Sequence, residues 1–227
     1  MSDTVTVPGI PFDLAPSDDT PWTVDDRTVT VHAIAHSDIF VDPGGGTQAN
    51  AETQLNAATL LGDPAAGDFQ FSARVSVGFV DTFDAGVLLL WFDEHHWGKL
   101  CFEFSPDREP MVVSVVARGV ADDANAFVVD RADTVSTPAS ETATEHAAGP
   151  DFVWLRVSRV GTVFSYHASL DGERWRLVRA FALDAPEPSA TVRLGFEAQS
   201  PVGEGCVVTF SDVSFASTTL TDIRDGS

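Results

Sequence analysis

Between Phe69 and Val77 the chain alternates without a break. Phe69, Phe71, Ala73, Val75 and Val77 are apolar, while Gln70, Ser72, Arg74 and Ser76 between them are polar. A period of two marks an extended strand with one face on a core, because successive side chains of such a strand point to opposite sides. A strand of this kind needs neighbours for its backbone hydrogen bonds and a second layer for its apolar face.

The rest of the chain supplies both. Ala85–Phe92 is continuously apolar, as a strand buried on both faces would be. Lys99–Phe104 follows the short break at residues 95–98, and Met111–Ala117 follows the Pro106…Pro110 turn, which together predict a three-stranded meander. Further strands are expected at Thr28–Ala35, Phe152–Val160, Val163–Ser169, Trp175–Leu183, Val192–Ala198 and Val207–Phe215. Asp171-Gly172 predicts a tight hairpin of the type that needs positive φ at both central residues. Asp42–Asp68, with Gly44-Gly45-Gly46, is a long connection, and Ala121–Pro150 is a second, with a short strand expected around Ala126–Asp130. Turn signals at this spacing, with no long amphipathic helix and no fixed-period repeat, predict an all-β sandwich or barrel. Strands resume at once on both sides of each long connection, so residues 1–227 are expected to form one domain.

A chain of 227 residues is long enough to bury a conventional core without staples. It holds 13 basic against 34 acidic residues, a net charge of −21, and Lys99 is its one lysine. Such a field repels phosphates and anionic lipid, so neither nucleic acid nor a membrane is expected as a partner. Cys101 and Cys206 lie far apart in apolar runs with no CxxC and no Cys/His cluster, so neither zinc nor a disulfide is expected. Residues 1–4 carry neither a basic nor an apolar leader segment, no run of 18 apolar residues occurs, and a cytoplasmic location is the expectation.

The stretch from Asp84 to Glu103 carries a resemblance. Ala85-Gly86, the acidic turn Asp93-Glu94, Trp97, Lys99 and Glu103 match the signature of a concanavalin A-like family of unknown function, often labelled regulation-of-enolase-protein-like. Val113 to Gly119 with Asp122-Asp123, Trp154 to Arg156 with Ser169 to Trp175, Ser37 to Phe40 and Gly195 to Pro201 resemble its other segments, so the likeness spans about residues 20–216. It implies a jelly-roll sandwich of two antiparallel sheets, with ligands lying across a concave face, and an association with sugar-related proteins.

Strand parity then selects candidates. Lys99, Cys101 and Glu103 share one face of their strand; Ser114 and Arg118 share a face with Val112 and Val116; Trp154, Arg156 and Ser158 share a third. A ligand-binding groove lined by Trp97, Lys99, Glu103, Ser114, Arg118, Trp154 and Arg156 is the expectation, since sugars stack on aromatic rings and hydrogen-bond to planar polar groups. Glu103 is expected at its centre, kept ionised between Lys99 and Arg118, and is the one catalytic candidate. The adjacent His95-His96 point differently and would chelate poorly. Asp38, Asp42, Asp63 and Asp68 are the residues a calcium ion would use, without the loop spacing of a dedicated site; no metal or other cofactor is otherwise expected.

Three functions remain open: a carbohydrate-binding module for a sugar or small polar ligand, a glycoside hydrolase pairing Glu103 with a second carboxylate such as Glu197, and a protein-interaction or regulatory module. A hydrolase needs two carboxyl groups about 5–9.5 Å apart, and no Glu-x-Asp-x-(x)-Glu motif places them on one strand. Phosphate-loop, dinucleotide and nucleophile-elbow motifs are absent from the sequence.

Overall fold

The computed structural model describes residues 4–17, 20–45, 53–130, 152–183 and 190–227. Among these there is no helix, and 58% of them lie in strands. The strands are β1 (Ala15–Pro16), β2 (Thr23–Asp25), β3 (Thr28–His32), β4 (Ile34–Ala35), β5 (Ile39–Phe40), β6 (Gln54–Leu55), β7 (Ala58–Gly62), β8 (Phe69–Val77), β9 (Ala85–Asp93), β10 (His96–Phe104), β11 (Pro110–Arg118), β12 (Val120–Val128), β13 (Phe152–Val160), β14 (Val163–Ser169), β15 (Arg176–Ala182), β16 (Arg193–Ser200) and β17 (Val207–Ala216). One sheet has the order β1-β7-β16-β9-β10-β11-β12, with β4 added in parallel to β16. The second runs β15-β14-β13-β8-β17-β3-β2. The two pack face to face as a jelly-roll sandwich, as the alternation in β8 requires.

The main core lies between the sheets. Phe69, Phe71, Ala73 and Val75 of β8 meet Leu88, Leu90, Leu100, Phe102 and Phe196 of the opposing sheet, all 1% exposed or less. Phe71 and Phe196 approach to 5.3 Å between ring centroids, and Phe196 and Phe210 to 4.6 Å. Glycine marks the closest approaches: a Cβ at Gly98 would lie 2.3 Å from the Tyr166 hydroxyl, across the sandwich. At one edge arginines tie the layers together, Arg179 donating to the Ser114 and Asp122 carbonyls and Arg118 to the Ala182 carbonyl.

Three details depart from the expectation. The first predicted strand breaks at Ala33 because the chain changes sheets there: β3 pairs with β17, whereas β4 pairs with β16. A full nine-residue strand, β12, stands where a short one was expected, and the connection after it, like Gly46, lies outside the described residues. Asp171-Gly172 is part of a six-residue loop between β14 and β15, in which the Asp171 carboxylate accepts from the Glu173 and Arg174 amides. Side-chain bonds of this kind organise a longer turn than the two-residue one expected.

Apolar side chains also cover the opposite face of the β9–β10–β11 sheet. Ile39, Ala57, Leu61, Val87, Leu89, Trp97, Cys101, Met111, Val113 and Val115 form a second cluster. Its lid is the β5–β6 hairpin. Ser37 bridges to Ser200 at the end of β16, and four residues on the Val41 carbonyl accepts from the Ala121 amide of β12. The hairpin therefore crosses the outer face from one flank to the other.

Two predictions follow from this packing. Gly98→Ala drives a methyl into the Tyr166 hydroxyl and is expected to lower stability by about 1–3 kcal/mol, read by denaturant melts. Cys101 and Cys206 are both buried and unbridged. Thiol titration of the unreduced protein is expected to find two free groups, and only after denaturation.

Candidate functional site

The site begins with the two faces of β10. Leu100 and Phe102 enter the main core, so Trp97, Lys99, Cys101 and Glu103 project from the outer face. Cross-strand register then assigns the neighbours. Glu103 lies level with Ala85 of β9 and Met111 of β11, and Ala85 in turn with Gln199 of β16. Lys99 lies level with Leu89 and Val115, and Val115 with Asp123 of β12. The β5–β6 region brings Asp38, Phe40 and Gln54 over this face, and loops at the sheet end add Phe83, Pro106, Pro201 and Val202. Together they enclose a cavity of about 580 Å³.

Lys99 is the hub. It is 2% exposed, and its Nζ donates to Asp38 Oδ1 at 2.7 Å and Gln199 Oε1 at 2.8 Å, with Glu197 Oε1 at 3.8 Å. Burial alone would drive off its proton, but Asp38 and Glu197 outweigh that and hold the ammonium above its ordinary range. Glu197 is fully buried, and neither carboxyl oxygen has a donor in normal hydrogen-bond geometry. Burial pushes it up to about 8, with Lys99 and the Ile39 amide offsetting only part of the effect. Glu103 is likewise pushed up to about 8, first by burial and then by repulsion from Asp123, Asp38 and Glu197, which Lys99 only partly counters. Burial also raises Asp123, and pushes the Cys101 thiol well above its usual range, which leaves it unreactive.

The expected groove residues separate into three places. Lys99 and Glu103 line the cavity. Trp97 is on the same face but fully buried beneath the hairpin, its Nε1 donating to the Glu94 carbonyl and its ring 5.8 Å from Lys99 Nζ; it supports the wall without forming it. Ser114 and Arg118 do not join them. Register sets Ser114 opposite Leu100 and Arg118 opposite His96, so Ser114 faces the other sheet and Arg118 sits seven residues, about 23 Å, beyond the level of Glu103. Glu103 is therefore not flanked by two cations, and burial favours the protonated form of its carboxyl over the ionised one. Trp154 and Arg156 do project outward from their strand, but β13 belongs to the other sheet, so they lie on the far side of the molecule. There Arg156 stacks 4.2 Å from the Trp175 ring and donates to the Gly226 carbonyl.

The aspartates named for calcium also part company. Asp38 is bound to Lys99, Asp42 caps the Gly44 amide, and Asp68 holds the Gly161 amide and the Thr219 hydroxyl. Among the described residues no three His, Cys, Asp or Glu side chains converge as a metal site. Parity reasoning missed Phe40, Gln54, Phe83, Asn125 and Gln199. Two of them carried a signal: Phe40 and Gln199 fall in the stretches matched to the family's start and end.

The raised carboxyls have a consequence for stability. The folded chain keeps protons on Glu103 and Glu197 that an unfolded chain releases near 4.5. Stability is therefore fullest below about pH 4.5 with respect to these groups, falls as pH rises, and loses their whole contribution above about 8. Glu197→Gln is expected to flatten this slope and to raise the melting temperature at pH 9 by at least about 2–4 °C, with little change at pH 4. An unchanged pH slope in thermal melts would contradict the assignment.

Solved structures share the architecture. A functionally unknown protein from Saccharomyces cerevisiae superposes with a TM-score of 0.70 at 21% identity, over 91% of this chain and 97% of that one. The Bacteroides ovatus xyloglucan PUL GH43B protein gives 0.63 at 10% identity, over 95% of this chain but 38% of its own. A xylan β-1,4-xylosidase from Bacillus halodurans gives 0.59 at 8% identity, over 84% and 33%. At these identities the likeness is one of fold, and the chain spans little more than a third of the two longer proteins. No curated protein matches it. Residues 17–218 match the family described as "Protein of unknown function (DUF1349)", and the chain, whose β-sandwich resembles those found in glycoside hydrolase-related proteins, belongs to that family.

Proposed function

We propose that the chain is a carbohydrate-binding module that holds a neutral sugar in the cavity beside Lys99 and does no chemistry on it. The observation that carries this reading is the composition of the walls: planar polar side chains of Glu103, Gln54, Asn125 and Gln199 line the cavity together with the rings of Phe40 and Phe83. A sugar presents hydroxyls around its rim and C–H groups on its faces, and such a mixture of planar hydrogen-bonding groups and aromatic rings suits both. The volume lies within the usual range for small-molecule sites, about 300–1,000 Å³. A protonated Glu103 both donates and accepts, which matches a hydroxyl.

Binding without hydrolysis is favoured by the carboxylates. Glu103 and Glu197 stand on β10 and β16 with β9 between them and a two-residue offset in register, about 12 Å apart at the backbone. Glu197 is sealed beneath Lys99 and is not part of the cavity wall, so the two carboxyls do not face one glycosidic bond from opposite sides. The names of the longer neighbours, which mention xylan and xyloglucan, are in keeping with a sugar ligand.

The test is an array of immobilised xylan, xyloglucan, β-glucan and galactan fragments, followed by titration of whatever binds. Binding to at least one neutral glycan is expected. The Phe83→Ala/Asn125→Ala double variant is expected to lose about tenfold or more in affinity, while its melting temperature stays within about 2 °C of the parent, since both side chains are partly exposed. Affinity unchanged in that variant, or no glycan bound, would overturn the reading.

A further inference from the structure

We infer that the cavity takes a neutral glycan by its terminal residue, end-on, and that a chain cannot lie across the sheet. The inference rests on the carbohydrate reading above and concerns the direction of entry and the charge of the ligand.

The outer face of a sandwich sheet offers an open trough in principle, but here the β5–β6 hairpin divides it. Its backbone is anchored on both flanks, by the Ser37–Ser200 bridge at β16 and by the Ala121 amide to the Val41 carbonyl at β12, so β9, β10 and β11 all pass beneath it. The barrier is packed and not draped: Ile39 is 3% exposed in the same cluster as Trp97, Leu89 and Ala117, which are wholly buried. Among the described residues the sheet surface on the Trp97 side is largely covered, and only Trp91, level with Trp97, is partly exposed there. On the cavity side Lys99 to Glu103 spans four residues of β10, about 13 Å, which is room for about one or two sugar rings. The mouth opens at the sheet end, where Phe83 is 37% and Val202 57% exposed beside Pro106 and Pro201. A chain therefore enters with one end against the hairpin and leaves through this apolar rim.

Charge narrows the ligand further. Among the described residues, Asp38, Glu103 and Asp123 line the cavity with Lys99 as the one cation, and the Lys99 ammonium is already engaged by Asp38 and Gln199. A uronate or a sugar phosphate would meet these carboxyl groups without an uncommitted cation among the described lining residues to receive it.

The experiment titrates the full chain with xylo-, cello- and galacto-oligosaccharide series of one, two and six units, and with the same disaccharides carrying a terminal uronic acid. Intact xylan and its partial acid hydrolysate, equal in mass, serve as competitors. End-on binding predicts that di- and hexasaccharide of the recognised series bind within about threefold of each other, and that the hydrolysate, richer in chain ends, competes better. It also predicts that the terminal uronate lowers affinity by about tenfold or more. Affinity rising tenfold or more from two to six units would overturn end-on entry and leave the carbohydrate reading intact. Equal binding of uronate-ended glycans would overturn the charge selection alone. No binding by any series would overturn both readings.

Discussion

One buried lysine holds the outer face of this sandwich together. A carboxyl group taken out of water is costly unless a cation or hydrogen-bond donors replace the solvent. This chain places Glu197 wholly inside, Glu103 nearly so, and Asp38 on a hairpin laid over both. Lys99 answers for all three from the middle strand of the sheet, and the division is unequal. Asp38 takes the direct bond, Glu197 the longer contact and Glu103 the remainder, so the latter two hold their protons to about pH 8.

The same lysine couples the cavity to the fold. Its bond to Asp38 pins the start of the hairpin, and its bond to Gln199 orients the end of β16, whose amide then donates to the Phe83 carbonyl. Hairpin, sheet edge and rim loop are thus tied to one ammonium group. Nearby, the Asp84 carboxylate accepts from the Val80 and Asp81 amides and from the Ser200 hydroxyl, holding that loop against β16. The hairpin and the rim loops at Phe83 and Ser200 keep their places because polar contacts fix them to the sheet.

Much of the architecture was legible along the chain. Period-two alternation located β8, a continuous apolar run located β9 and the turns on either side located β10, and all follow from local geometry. The site was legible only in part, and the reason is specific. Parity states which residues share a face of a strand, but not which face meets the other sheet, nor which sheet the strand joins. Ser114 and Arg118 failed on the first point, because register sets them opposite core-facing or distant residues of β10. Trp154 and Arg156 failed on the second, because the chain changes sheets before β13. Lys99 and Glu103 succeeded because Leu100 and Phe102 between them are too apolar to face anywhere but the main core.

The sequence by itself determined an all-β sandwich, the strands of its meander, and the pairing of Lys99 with Glu103 on one face. Those properties depend on residues near one another in the chain, where backbone geometry leaves few choices. Tertiary structure alone decided that β5 and β6 lie across the outer face, that Asp38 and not Glu103 is the close partner of Lys99, and that Glu197 lies beneath it. These depend on segments 60 to 160 residues apart, brought together by burial of the second apolar cluster. No local pattern records which distant carboxylate a single cation will meet.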